Sequence, residues 1–397
     1  MGVVVKRRLG KMAVIVPAAF INSLAIGTMS LGLLFVVKDL YGASPALVGF
    51  LGALWSSSYF IACILLRRTA SRFRPRTAMF IMTSCSAIIW TAFLLYPGLW
   101  QAYVAFSLYG LLTAFFWPPL MGWLSTGYEG AELNKATSRF SLSWSIGGVF
   151  SSYIAGILSE HGKFLPIVMS ASLFAINALF ILSSRLLVPA DTISATDGHE
   201  ETEAIDRSTM LRFPAWLGAF LIYAVMGVLF NVFPVFARDR LAHSESTIGF
   251  MLTMRAMATA LGFFVLGRLT FWQFKRYTLP ALSMATALIL VVLIVQRGVI
   301  GFAMCFGLLG FLQSGMYNNS LFYATSGALD RNKRASVHEA LVTFGQVVGS
   351  ISGALLYQSF SMPAVFLSLG LLLIAGASAQ AVMIYRPGRL ARPGNRA

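Results

Sequence analysis

The stretch KDLYGASPALVGF at 38–50 returns two hundred residues later as RDRLAHSESTIGF at 238–250. Both copies open on a basic residue and an aspartate, hold Ser44 and Ser244 in the same place, and close on Gly49-Phe50 and Gly249-Phe250. Apolar segments match by chance at many Leu and Ala positions, whereas charged and hydroxyl loop residues in register do not. Working outward, a shift of 200 also pairs Phe20 with Phe220 and Gly27 with Gly227. Further along, a shift of 198 pairs Asn134-Lys135 with Asn332-Lys333, Ser138 with Ser336, Gly147 with Gly345, Val149 with Val347, Ser152 with Ser350 and Leu158 with Leu356. The chain is therefore read as two copies of one unit in parallel.

Composition says what solvent those copies occupy. The 397 residues are 57% hydrophobic and 11% charged, with a mean hydropathy of +0.76, against about 45–50% apolar and about 25% charged in soluble domains. Charge is confined to short islands between apolar runs of about 20 residues, the length that crosses a ~30 Å hydrocarbon layer. The runs fall near 12–37, 46–66, 77–97, 100–124, 137–159, 164–187, 213–237, 246–267, 277–296, 299–324, 336–359 and 362–385, predicting twelve membrane helices. The first follows Lys6-Arg7-Arg8 and Lys11 as a signal peptide's apolar region would, but is too long for one and is read as a span.

A formal net charge of +16 would raise the question of nucleic acid in a soluble protein. Here 24 of the 30 Lys and Arg residues fall in alternate segments, counting from the N-terminus. That bias predicts both termini in the cytoplasm of an inner-membrane protein and no nucleic-acid partner. Cys63, Cys85 and Cys305 all lie in apolar runs without CxxC or Cys/His spacing, and are read as small core residues. The acidic, polar stretch from about Pro189 to Arg212 suits a linker. The expected organisation is a six-helix bundle over 1–188, a cytoplasmic linker over 189–212, a second six-helix bundle over 213–385 and a basic tail over 386–397.

Six plus six helices, a long central loop and parallel halves resemble the major facilitator superfamily over essentially the whole chain. The family's loop signature after the second span, Gly-x-x-x-Asp-Arg-x-Gly-Arg-Arg, corresponds to Arg67–Arg76, which keeps basic residues but lacks both glycines and the Asp. Gly267–Arg276 in the second half keeps the first glycine and the basic end. The Gly-Pro-x-x-Gly-Gly pattern of drug/proton antiporters corresponds to Ser151–Gly156, without the proline and one glycine. The resemblance implies alternating access of a solute site between the halves, near the bilayer midplane.

Arg255 is the sharpest local signal, about 14 Å into the eighth span at ~1.5 Å per residue. An arginine at that depth costs at least ~2.5 kcal/mol on insertion scales. It either contacts an anionic group of the solute or pairs with a carboxylate or carbonyls; its repeat partner is Trp55, so the fold does not demand the charge. Glu339 is the only acidic residue placed inside a span. It is read either as a first-turn carboxylate held by the helix N-terminus or as a proton carrier assisted by His338. Arg139 is read as an interfacial anchor, the alternative being a second cavity cation.

Asn22 in the first span and Gln313, Asn318 and Asn319 in the tenth are helix-to-helix bonds or solute contacts. Tyr317 beside them, and Trp117-Pro118-Pro119 at the equivalent place in span four, suggest an aromatic floor, the alternative being packing and a proline kink. Gly147-Gly148, Gly345, Gly349 and Gly353 predict close helix packing. No HExxH, GxSxG or phosphate loop occurs, and the four histidines are scattered, so no enzyme activity, cofactor or metal is expected. The predicted function is secondary active transport of a small organic solute, anionic or zwitterionic, by a monomer that is proton-coupled or driven by the solute gradient. The alternatives are a sugar transporter, a drug exporter, or a lipid flippase or ligand sensor on the same fold.

Overall fold

The computed structural model describes residues 10–66, 69, 72–125, 130–187, 209–269, 272, 274–325 and 331–385. The expected tail, and the expected linker up to residue 208, lie outside the described residues. In chain order the helices are α1 (Met12–Phe35), α2 (Pro45–Leu65), α3 (Pro75–Leu95), α4 (Leu99–Thr113), α5 (Trp117–Ser125), α6 (Gly130–His161) and α7 (Leu165–Leu187). After the undescribed segment come α8 (Arg212–Asn231), α9 (Phe233–Asp239), α10 (Glu245–Arg268), α11 (Thr278–Val295), α12 (Val299–Thr325), α13 (Arg331–Ser359) and α14 (Met362–Tyr385). Among the described residues twelve helical stretches are long and apolar enough to cross a membrane, and each overlaps one of the expected spans.

Two spans are broken where proline removes a backbone donor. The fourth is interrupted at Ala114–Phe116, before Pro118 and Pro119, and resumes as α5. The seventh breaks at Val232, before Pro234, and resumes as α9. Helix α1 ends instead in a π-helical turn, Val36–Leu40.

The repeated stretch folds twice in the same way. Gly42 and Ala242, both left-handed at φ 62° and 53°, turn the chain. The Ala43 amide donates to the Val37 carbonyl at 3.2 Å, and the His243 amide donates to Ala237 at 3.0 Å. Ser44 and Ser244 then cap the next helix, each hydroxyl accepting from a backbone amide three residues on at 3.3 Å. Pro45 starts α2, where the missing amide hydrogen costs nothing.

The chain forms two compact units. One takes in the ranges 1–43, 57–203 and 244–256; the other takes in 44–56, 204–243 and 257–397. The first turns of α10 thus belong to the unit built on α1 and α6, and the first turns of α2 to the unit built on α8 and α13.

Glycine sets the contacts inside each unit. A Cβ on Gly147 of α6 would sit 2.6 Å from the Phe20 carbonyl of α1, and one on its repeat partner Gly345 of α13 would collide with the carbonyl of Phe220 on α8. Gly27 likewise lies against Ser151, and Gly227 against Ser350. The segment 244–256 packs Gly249 on the backbone of Ser152, and 44–56 packs Gly49 on that of Ser350. Glu160 accepts the Ser246 amide at 2.9 Å, and Gln358, its counterpart, accepts the Ala46 amide at 3.1 Å. With lipid outside, such close packing and interhelical hydrogen bonds hold helices together, since no hydrophobic drive does.

An L residue in the left-handed region carries a steric cost that glycine escapes. Gly42→Ala is expected to lower the stability of the purified protein by about 1 kcal/mol, while Ala242→Gly raises it by a smaller amount. Denaturant unfolding of the two variants in detergent checks both signs.

Candidate functional site

Two polar clusters stand out, one in each unit. In the first, Lys163 in the turn between α6 and α7 binds Asp39 at 2.7 Å and also binds Glu245, the first residue of α10. Glu245 is 1% exposed. Burial works against the Lys163 charge, but hydrogen bonds and attraction from Asp39 and Glu245 outweigh it and hold the ammonium above its ordinary value. The cation therefore persists across the physiological range.

Sequence reading placed only Glu339 among the acidic residues inside a span, and the structure corrects that. Asp39, Glu160, Asp239 and Glu245 all sit within the ends of membrane-crossing helices. Glu245 was missed because Lys163 is far away in sequence. The one available signal was a carboxylate where the first half has Pro45.

Arg255 lies in the same unit, about 15 Å along α10 from Glu245 at ~1.5 Å per residue, and is 8% exposed. Asn22 is fully buried on α1, and neither atom of its amide has a partner among the described residues. Asn177 of α7 donates to the Ala18 carbonyl, one turn before Asn22, at 3.1 Å. Trp117 is half-buried and packs edge-on against Phe116 and Phe140, with centroids at 5.0 and 6.0 Å. Arg139 is exposed and opens the membrane-crossing part of α6.

The second cluster joins α12 to α13. The Tyr317 hydroxyl donates to Glu339 at 3.1 Å, and its ring meets His338 edge-on at 4.6 Å between centroids. The fully buried His338 engages the Ser320 hydroxyl through Nδ1 at 2.7 Å, and its Nε2 has no partner among the described residues. Tyr223 of α8 and Phe263 of α10 complete the aromatic surround, 6.1 and 5.6 Å from the Tyr317 ring. Glu339 is exposed, while Tyr317, Tyr223 and Phe263 are partly so.

This cluster is a repeat contact that has turned polar. Trp117 and Phe140 are the counterparts of Tyr317 and His338, and the same edge-on ring pair occurs in both units. Ser141 stands where the second half has Glu339. The first-turn reading of Glu339 does not hold, because α13 begins at Arg331 and Glu339 is its ninth residue. The helix-terminal charge fades beyond the first turn, so it does not explain this carboxylate.

Among the other expected residues, Gln313 meets Thr259 of α10 at 3.4 Å. Asn319 turns back on its own helix, donating to the Gly315 carbonyl at 2.8 Å. Asn318 is half-buried, as is Trp55, the repeat partner of Arg255 and itself a candidate solute contact. The structure brings Tyr317, His338 and Glu339 together, while the Oδ1 of Asn319 is buried with no hydrogen-bond partner among the described residues.

A family model described as Major Facilitator Superfamily matches residues 15–338 and, in a second match, 215–396. No curated protein sequence matches the chain. Similar solved structures include a POT family transporter in complex with a thioalcohol-conjugated peptide, at 10% identity over 96% of each chain and a TM-score of 0.78. The nucleoside transporter NupG is 13% identical over 94% of this chain and 98% of its own, with a TM-score of 0.68. A bacterial homologue of the human lysosomal transporter Spinster, inward-facing and occupied, is 13% identical over 97% and 98%, with a TM-score of 0.73. At these identities the likeness is one of fold.

Removing Lys163 takes from Glu245, a buried carboxylate, the ammonium that it binds. Lys163→Ala is expected to cost about 2 kcal/mol, between the about 1 kcal/mol of an exposed pair and the about 3 kcal/mol or more of a fully buried one. Adding Glu245→Gln should recover part of that loss, which a double-mutant cycle by chemical unfolding measures.

Proposed function

Because the chain belongs to the Major Facilitator Superfamily, we propose that it is a proton-coupled secondary transporter whose solute is a small organic molecule bearing a carboxylate, either anionic or zwitterionic. It works by alternating access in the inner membrane, as a monomer, with both termini in the cytoplasm. The Lys and Arg bias between alternate loops supports that orientation.

Arg255 carries the substrate assignment. A guanidinium 8% exposed near the middle of a membrane helix, at a position where the other half has Trp55, is not required by the fold. Such residues mark solute or ion paths, and the guanidinium fork matches a carboxylate in two hydrogen bonds. Asn22, buried with an unpartnered amide, supports a further polar contact, since a buried amide without a partner is costly. Glu339 supports coupling: it is an accessible carboxylate on a membrane helix, away from the helix start, with Tyr317 as its hydrogen-bond donor.

A thermal-shift screen of wild-type and Arg255→Ala protein against organic acids, amino acids, sugars and lysolipids tests this reading. A carboxylate-bearing ligand at 100 times its Kd should stabilise the wild type by about 2.7 kcal/mol, and Arg255→Ala should lose at least about tenfold in affinity. Equal stabilisation of both proteins by sugars or lysolipids would overturn the carboxylate assignment.

A further inference from the structure

We infer that Glu339, together with the Tyr317, Tyr223 and Phe263 rings, forms a subsite for an organic ammonium group. The inference rests on the reading of this chain as a solute transporter and extends it, giving the solute a cationic end.

The first consideration is the carboxylate itself. Among the described residues Glu339 takes part in no ion pair, and the Tyr317 hydroxyl is its one hydrogen-bond donor, bonded to Oε1. The side chain is exposed rather than sealed in a helix contact, so Oε2 is open to an incoming donor. A carboxylate in a membrane-crossing segment is costly unless something complements it.

The surround selects the kind of complement. The rings of Tyr223 on α8 and Phe263 on α10 flank that of Tyr317 on α12, the acid's hydrogen-bond donor. The negative faces of aromatic rings attract cations. Among the described residues no group of three His, Cys, Asp or Glu side chains that could hold a metal ion occurs. A divalent metal ion, which takes several such oxygen or nitrogen ligands, is therefore a poor match. One carboxylate with aromatic walls suits an alkylammonium, whose N–H groups reach Oε2 while its carbon skeleton lies on the rings.

His338 and Ser320 fix this geometry from behind. The imidazole is fully buried and bonded to Ser320, and its edge-on contact holds the Tyr317 ring. In the other unit the corresponding pair is Trp117 and Phe140, with Ser141 in place of the acid. The subsite therefore belongs to the second half of the repeat.

The test is titration of phenethylammonium into the purified full-length protein, followed by thermal shift and calorimetry, with uncharged phenethyl alcohol as the matched control. Wild type should bind the ammonium at least tenfold more tightly than the alcohol. Glu339→Gln, whose amide oxygen still accepts from Tyr317, should lose that preference. Glu339→Asp should retain part of it, and Tyr317→Phe should weaken binding two- to fivefold. Phenethylammonium carries no carboxylate, so a failed carboxylate assignment leaves this result standing. Absence of ammonium binding, equal binding of ammonium and alcohol, or unchanged affinity in a folded Glu339→Gln protein would overturn the inference.

Discussion

Backbone contact between α1 and α6, repeated between α8 and α13, holds each unit together. In hydrocarbon the backbone must satisfy its polar groups inside each helix, and apolar side chains gain nothing by leaving lipid for a neighbouring helix. What remains is close packing, and the α1–α6 and α8–α13 pairs achieve it by having no side chain at Gly147 and Gly345. Ser23 adds a hydroxyl bond to the Trp144 carbonyl at 2.7 Å, and Asn231 adds one to Ser350 at 2.9 Å. The surfaces that carry Asn22 on α1 and Glu339 on α13 are positioned by these contacts.

Symmetry then separates what the fold needs from what function adds. The left-handed turns at 42 and 242, the serine caps, the glycine contacts and the Glu160 and Gln358 side chains at amides 246 and 46 occur in both halves. They are architecture. The exceptions are charges: Glu245 opposite Pro45, Arg255 opposite Trp55, Lys163 opposite Ser361 and Glu339 opposite Ser141. Each raises the cost of a membrane fold that its counterpart position shows can do without it. Lys163 and Glu245 pair with each other, which assigns them to structure at the end of α10. Arg255 is the eleventh residue of α10 and Glu339 the ninth of α13, away from the helix starts, and they are the two on which the proposed transport chemistry rests.

Much of this was legible in the sequence because hydropathy and loop chemistry act locally. Apolar runs, the repeated Asp, Ser and Gly-Phe, and the prolines after Trp117 led to the twelve spans, the parallel halves and the break before α5. The first-turn reading of Glu339 failed because hydropathy marks where a chain meets lipid and not where a helix begins. Helix α13 starts at Arg331, before its membrane-crossing part at Val337, so Glu339 is not a first-turn residue. The burial of Glu245 depends on a lysine brought in from a distant turn, which no pattern of residue types records.

The proposed function couples solute movement to protons. The most direct measurement is uptake of a stabilising solute into proteoliposomes of the wild-type protein, with and without an imposed pH gradient. Coupling predicts accumulation above the external concentration when the gradient is present, and its collapse on adding a protonophore. Equilibration to the same internal level under both conditions would contradict the claim, leaving facilitated diffusion on this fold and a structural role for Glu339.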